Sequence, residues 1–204
     1  MQLLAENLTR SFGNRRIVGP LDISVGPGRV LAVAGQNGSG KTTLVRTLAG
    51  LLRPSTGHVW LVRDGVRTAP RDASWAIGWV APDLSLYGEL TAAENLLFFV
   101  RLHGRPALPG WADERIAAVG LDPKRIAAHP IRALSTGQRQ RVKLAFATLH
   151  EPPVLFLDEP SSNLDDAGRA VVEAVVRDQR ARGLCVVASN DPGDLALADE
   201  RITL

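Results

Sequence analysis

The feature that most constrains this chain is an eight-residue segment that fits the pattern G-x-x-x-x-G-K-[ST]. It reads Gly35-Gln36-Asn37-Gly38-Ser39-Gly40-Lys41-Thr42. An apolar run at 30–34 precedes it, and a helical pattern starting with Thr43 follows Thr42, so the order is strand, loop, helix. In such a loop the backbone N–H groups converge on phosphate oxygens at the positive end of the helix. Lys41 then reaches the β- and γ-phosphates, and Thr42 offers its hydroxyl to Mg²⁺. The alternative is a glycine-rich strand-to-helix turn that binds nothing.

Length and composition limit the classes of protein that this chain can belong to. Its 204 residues are 45% hydrophobic, which suits one soluble domain with a sizeable core. No apolar stretch approaches the ~20 residues that span a bilayer, and the N-terminal segment does not resemble a secretory signal, so we expect a cytoplasmic protein. The single cysteine, Cys185, lies in an apolar run and is expected to be a buried, unreactive residue. Net charge is +3, but the arginines are scattered, so no nucleic-acid partner is expected.

Apolar runs alternate with helical stretches, which predicts an α/β fold with a mixed β-sheet core. Strands are predicted at 3–8, 21–25, 30–35, 58–61, 77–80, 154–157, 184–189 and 201–204. Helices are predicted after Gly40, Thr91, Ala112, Ser135, Asp165 and Pro192. The strand signal disappears at 81–134, where Pro and Gly break helical segments. We therefore expect a single domain, 1–204, with an α/β core at 1–80 and 135–204 and an inserted helical subdomain at 81–134.

Two carboxylates end the apolar run at 154–157. Asp158 and Glu159 should stand at the carboxyl end of a buried strand, which is where ligands bind in open α/β sheets. Asp158 is suited to hold magnesium through a water, and Glu159 to polarise the water that attacks a γ-phosphate. The alternative is a solvated strand end. The phosphate loop elsewhere in the chain favours the catalytic interpretation.

A third segment, Leu134-Ser135-Thr136-Gly137-Gln138, precedes a helix that is basic first and apolar later. Ser135 is expected to cap this helix, and Gly137 would let the backbone approach an anion at the positive helix end. Taken alone, this pentapeptide is better explained as the start of an ordinary capped helix than as an anion site.

Together these segments resemble the ATP-binding subunit of ABC transporters, a P-loop NTPase, over about 3–204. The phosphate loop resembles Walker A, residues 154–159 resemble Walker B with its catalytic glutamate, and residues 161–165 resemble the D-loop. Phe12 matches the aromatic residue that stacks on adenine. The resemblance implies ATP and Mg²⁺ as ligands, with ATP bound by Phe12, Gly35, Gln36, Asn37, Gly38, Ser39, Gly40, Lys41, Thr42 and Thr43. It also implies signature residues that act across a dimer, namely Ser135, Thr136, Gly137 and Gln138.

The family resemblance also implies which proteins this chain binds. The resemblance implies a head-to-tail homodimer or pseudo-dimer, in which Ser135 and Gly137 of one copy cover the γ-phosphate held by Lys41 of the other. It also implies an integral membrane transporter subunit and a peripheral location on the cytoplasmic face of the cell membrane. The substrate path belongs to that membrane subunit, so the sequence names no substrate.

Two positions depart from the family pattern. Pro82 stands where a glutamine normally senses magnesium and the attacking water, with Asp83 next to it. Asp83 would then either ligate magnesium or cap the turn after Pro82. Asn190 stands where a histidine normally contacts the γ-phosphate; it can donate a hydrogen bond but cannot relay a proton. With Glu159 in place, we expect real but slow hydrolysis.

The segments 90–99 and 102–104, together with a chain that stops after its last strand, resemble the haem-exporter subunit of cytochrome c maturation. Two other functions stay open. One is a regulatory nucleotide-binding module that hydrolyses little ATP, and the other is a soluble ABC ATPase that takes no part in transport.

Overall fold

The computed structural model describes all 204 residues, which form nine strands, seven α-helices and three short 3₁₀ helices. Four strands make an antiparallel sheet in the order β2-β1-β4-β5. Their bounds are β1 Gln2–Phe12, β2 Arg15–Val25, β4 Thr56–Arg63 and β5 Val66–Thr68. The other five make a parallel sheet in the order β6-β7-β8-β3-β9. Their bounds are β3 Val30–Ala34, β6 Ile77–Val80, β7 Val154–Asp158, β8 Leu184–Ser189 and β9 Glu200–Thr203.

The predicted α/β class is confirmed, with parallel and antiparallel pairing divided between two sheets. Every residue of β3, β7 and β8 is buried, which explains their continuous apolar sequences. Cys185 on β8 is fully buried as expected, and burial raises the pKa of its thiol. None of the seven helices has the length and apolar character required to cross a bilayer.

Two hairpins extend the antiparallel sheet beyond the predicted strands. The pairing of Phe12 with Arg15 leaves Gly13 and Asn14 as a two-residue turn, so β1 and β2 continue through polar residues. Asp64 and Gly65, both at positive φ, form the turn between β4 and β5. Asp-Gly is a strong hairpin signal, so the sequence itself marked the unpredicted β5.

The helices are α1 Lys41–Leu48, α2 Ala92–Leu102, α3 Trp111–Ala118, α4 Pro123–Ile126, α5 Thr136–Thr148, α6 Asp166–Arg182 and α7 Pro192–Ala196. Three corrections apply. The third helix begins at Trp111, ahead of Ala112, and α7 begins at Pro192 itself, since proline suits the first helical turn. The short α4 was not predicted, although Asp122 caps it and Pro123 opens it.

The parallel sheet separates two hydrophobic clusters. One cluster joins α1 to the antiparallel sheet, with Leu44 and Leu3 among its buried members. The other joins α2, α3 and α5 to the opposite face, with Leu96, Ile116 and Leu144 fully or almost fully buried. This packing places the carboxyl ends of β3, β7 and β8 beside the start of α1.

Candidate active site

The phosphate loop runs between β3 and α1 in a backbone conformation that requires glycine. Gly35 and Gly40 have φ of 153° and 109°. A Cβ on Gly40 would lie 2.7 Å from Ile17 Cγ2, and one on Gly35 would lie 2.5 Å from Ser39 Oγ. Glycine is therefore needed at both positions for conformation and for space. The loop ends at the N-terminus of α1, where unpaired N–H groups favour an anion.

Lys41 is 6% exposed and its ammonium lies inside the loop. Nζ donates hydrogen bonds to the backbone oxygens of Gly35 at 2.9 Å and Gln36 at 3.3 Å. It also forms an ion pair with Glu159 Oε1 at 3.3 Å. The Lys41 ammonium has three N–H donors, and these three oxygens are their present acceptors. A phosphate oxygen can replace any of them.

Asp158 ends β7 and is fully buried. Neither of its carboxylate oxygens accepts a hydrogen bond of ordinary geometry, which is rare for a buried charged group. Burial raises the pKa of Asp158, and the charge of Glu159 adds to the shift; the nearby Thr42 hydroxyl and the cations Arg46 and Lys41 oppose it. A buried carboxylate without partners beside a threonine hydroxyl is a donor set that fits Mg²⁺.

Glu159 follows β7 in a left-handed conformation, with φ of 49°, which is unusual for a residue with a side chain. Its N–H donates to the Ala188 carbonyl at 2.8 Å, which fixes the turn against β8. This turn brings the carboxylate to a cavity of about 450 Å³ above the phosphate loop. The cavity is lined by Phe12, Arg15, Ile17, Asn37, Gly38, Gly40, Lys41, Thr42, Thr43 and Glu159.

Phe12 lies at the edge of this cavity with 49% of its surface exposed. The Arg10 guanidinium stands over one face of the ring, 4.3 Å from its centroid. An exposed aromatic face beside the phosphate loop suits stacking by a nucleobase. Arg15 and Ile17, which also line the cavity, were not predicted; both follow the Gly13-Asn14 turn that the sequence could have identified.

Asn190 lies next to the phosphate loop, because its Nδ2 donates to Asn37 Oδ1 at 3.1 Å. Asp83 does not line the cavity. Its carboxylate pairs with Arg46 at 2.6 Å, and Lys143 Nζ donates to the Pro82 carbonyl at 2.9 Å. Arg46 thus pairs with Asp83, and its positive charge also acts to lower the pKa of the buried Asp158, an arrangement that no motif indicates. The assignment of Asp83 as a magnesium ligand stays a prediction.

Ser135 caps α5 as expected. Its hydroxyl accepts from the Gln138 N–H at 3.2 Å, and Gln138 Oε1 accepts from the Ser135 N–H at 2.9 Å, so the two form a capping box. Thr136 Oγ1 accepts from the Arg139 guanidinium at 3.3 Å.

Ser135, Gly137 and Gln138 line a second cavity, of about 440 Å³. This cavity shares no residue with the one above the phosphate loop. It also contains Arg141, which was not predicted, and its partner Asp165, the last residue of the segment that resembles the D-loop; Arg141 Nη2 lies 2.6 Å from Asp165 Oδ1. One copy of the chain therefore presents the phosphate loop and the signature segment at separate places.

A family model described as ABC transporter matches residues 18–162. The chain is 36% identical over 189 residues to "Cytochrome c biogenesis ATP-binding export protein CcmA" of Cupriavidus necator, covering 92% of this chain and 82% of that protein. It is 34% identical over 205 residues to "Probable multidrug ABC transporter ATP-binding protein YbhF" of Escherichia coli, covering 98% of this chain. The chain spans only 35% of the length of YbhF.

Among solved structures, the dimeric ABC transporter cassette MJ0796 is similar over 99% of this chain and 94% of its own, with a TM-score of 0.83 and 24% identity. A structure of the same cassette in a post-hydrolysis state with ADP and Pi has the same TM-score. At 24% identity, the similarity to these structures is evidence for a shared fold.

Proposed function

This chain belongs to the ABC transporter family, and from that premise we propose that it is the ATP-hydrolysing subunit that drives a membrane transporter as a head-to-tail dimer. One observation carries the proposal: Lys41, Thr42 and Glu159 converge on a single cavity, and the buried, unpartnered carboxylate of Asp158 lies behind them. Such an arrangement of cation, hydroxyl and two acids matches the requirements of phosphoryl transfer to water.

Different residues of the site have separate roles in binding or hydrolysing ATP. Backbone N–H groups of the loop and the Lys41 ammonium hold the phosphate oxygens, and Phe12 stacks on the base. Thr42 and Asp158 would hold Mg²⁺, which neutralises charge on the β- and γ-phosphates. Once phosphate oxygens take over Lys41, the Glu159 carboxylate is released to accept a proton from the attacking water. Asn190 then turns its amide donor from Asn37 to the γ-phosphate.

The separation of the two cavities supports a dimeric site. Lys41 lines the cavity that would hold the γ-phosphate, whereas Ser135 and Gly137 of the same copy line a different one. A second copy, inverted with respect to the first, supplies its capped α5 to each nucleotide. Binding then closes the dimer and hydrolysis reopens it, which moves the membrane subunit.

We assign the transporter to the export type found in cytochrome c biogenesis, with haem as the exported molecule and the chain on the cytoplasmic face of the membrane. Support comes from segments 90–99 and 102–104 and from relatives so named, which reach 40% identity over 176 residues in Xanthomonas axonopodis pv. citri. Two observations each favour an alternative function. Pro82 and Asn190 suit a regulatory module with little hydrolysis, and the YbhF similarity suits multidrug export.

The test begins with the purified chain, assayed for Mg²⁺-dependent phosphate release together with Lys41→Ala and Glu159→Gln. We expect both variants to lose activity, and Lys41→Ala to lose nucleotide binding as well. An inactive parent chain that still binds ATP, even with its membrane partner, would support the regulatory module. Deletion of the gene, scored for loss of c-type cytochromes against loss of drug tolerance, separates the two transport assignments.

A further inference from the structure

A buried carboxylate that none of the family motifs contains lies beside the candidate general base. Asp194 on α7 is 3% exposed. Its Oδ1 accepts a short hydrogen bond from the hydroxyl of Ser161, and its Oδ2 accepts one from the hydroxyl of Ser189 at 2.7 Å. Ser161 lies two residues after Glu159, and Ser189 immediately precedes Asn190. Asp194 therefore links the chain segments that carry two of the proposed site residues.

The hydroxyl of Ser189 has two competing acceptors. Its oxygen lies 2.7 Å from Asp194 Oδ2 and 3.4 Å from Glu159 Oε2, and it already accepts from the Asp191 N–H at 3.1 Å. A serine has one hydrogen to donate, and the shorter contact takes it. Glu159 therefore receives no hydrogen from Ser189, although a small rotation of the side chain would supply one.

This matters because a hydrogen bond donated to a carboxylate stabilises its charged form and makes it a weaker base. It also occupies a lone pair that the attacking water needs. The other partner of Glu159 in this structure is Lys41, which phosphate oxygens can take over. After that exchange, the direction in which Ser189 donates decides whether Glu159 is free.

We propose that Asp194 is a positioning residue that draws the Ser189 hydrogen away from Glu159 and so keeps the Glu159 carboxylate available as the general base. The inference rests on the proposed role of Glu159. Asp194 does not line the cavity above the phosphate loop; it acts through Ser189, while its bond to Ser161 holds the chain after Glu159 in register.

The experiment compares Asp194→Ala with the double variant Ser189→Ala/Asp194→Ala in steady-state ATPase assays of the full chain. Removing the carboxylate leaves Glu159 as the nearest acceptor for Ser189, so we expect kcat to fall ~10-fold or more while KM for ATP changes less than ~3-fold. In the double variant the interfering hydroxyl is gone, and kcat should recover most of the loss. If Asp194 had a purely structural role, kcat of the double variant would be no higher than that of Asp194→Ala, because the double variant has lost yet another hydrogen bond.

Asp194→Leu, which fills more of the space, replaces Asp194→Ala if thermal melting shows that the alanine variant is unfolded. Asp178→Asn, an exposed carboxylate on α6, is the matched control and should behave like the parent chain. The inference is overturned if the single variant keeps its kcat or if the double variant is no faster than the single. Failure of the proposed function looks different: then the parent chain and Glu159→Gln would show the same rate of phosphate release.

Discussion

Lys41 Nζ lies 3.3 Å from Glu159 Oε1, so the cation of the phosphate loop is paired with the carboxylate proposed as the general base. The lysine is almost fully buried, while the glutamate side chain is a quarter exposed. The pair gives the loop a resting arrangement in which each group satisfies the other. Under the proposed function, ATP has to displace Glu159 from Lys41 before either residue acts on the nucleotide.

Glu159→Gln should therefore bind ATP more tightly and turn it over more slowly. The amide keeps the shape of the side chain but no longer competes as an anion for Lys41, and it cannot accept the proton of water. We expect kcat to fall roughly 10²–10⁴-fold. Calorimetric titration with MgATP and a phosphate-release assay measure the two effects, with the exposed Glu173→Gln as the control. Unchanged turnover would remove Glu159 from the base role.

Asp158→Asn should stabilise the nucleotide-free protein. Because burial raises the pKa of Asp158 in the folded state, the folded state binds the proton more tightly than the unfolded chain does, and stability is lost as pH rises through that range. At neutral pH the amide removes a buried charge without hydrogen-bond partners, a gain of roughly 1–3 kcal/mol. Urea unfolding of the parent chain and of Asp158→Asn at pH 7 measures this difference in the free energy of unfolding.

The same variant should lose the additional stabilisation that Mg²⁺ gives in the presence of ATP, since the proposed ligand is gone. Asp83→Asn is the matched comparison. Asp83 is bound to Arg46 and lies outside the cavity, so we expect its removal to leave the Mg²⁺ requirement within ~3-fold of the parent. A large loss of Mg²⁺ affinity in Asp83→Asn would instead support the prediction that Asp83 is a ligand.

Asn190→His should accelerate hydrolysis. Asparagine at this position donates one hydrogen bond, to Asn37 at 3.1 Å, whereas imidazole can also carry a positive charge or a proton. We expect kcat to rise, by as much as roughly 10²-fold, with little change in KM. Asn190→Ala, measured in parallel, should be slower than the parent. If histidine gives no gain over asparagine, hydrolysis is limited by another step.

Stability should fall in mild acid because of His150. Its ring stacks on His103 with centroids 4.4 Å apart, and its Nε2 bonds to the Ile77 carbonyl at 3.1 Å. Burial first, and then the charge of His103, lowers the pKa of His150 from 6.5 to about 4. The folded state therefore resists protonation, and stability present above pH 6.5 is lost as pH falls towards 4.

At pH 5 the loss should be roughly 1–2 kcal/mol relative to pH 7. Denaturant unfolding at the two pH values measures it. His150→Gln should flatten this dependence, because glutamine can still bond to Ile77 but does not titrate. His129→Gln, at an exposed site, should keep it. An equal pH dependence in both variants would assign the loss to other groups.

The strands and helices that could be predicted are those specified by local sequence patterns. The buried strands β3, β7 and β8 carry continuous apolar runs, and Ser135 with Gln138 is a capping pair three residues apart, so neighbouring residues alone specify them. The strand β5 was missed for the opposite reason: its residues are largely exposed and carry little pattern, and only the Asp64-Gly65 turn identifies it.

Contacts between distant residues could not be predicted in the same way. Arg46 and Asp83 are 37 positions apart, and Asn37 and Asn190 are 153 apart. Both pairs form because β3, β6, β7 and β8 run parallel and bring separate loops to one edge of the sheet. No local signal assigned Asp83 a partner on α1, and none assigned Asp194 its two serine partners, one after β7 and one at the end of β8.

The sequence by itself determined the phosphate loop, the acidic strand end and the capped signature helix, because each is a short run whose backbone geometry and donors are set by adjacent residues. Tertiary structure alone decided that Lys41 meets Glu159, that Asp158 is buried without a hydrogen bond of ordinary geometry, and that the signature segment lines a separate cavity. These outcomes depend on burial and on pairing between strands far apart in the chain, which propensity and periodicity do not encode.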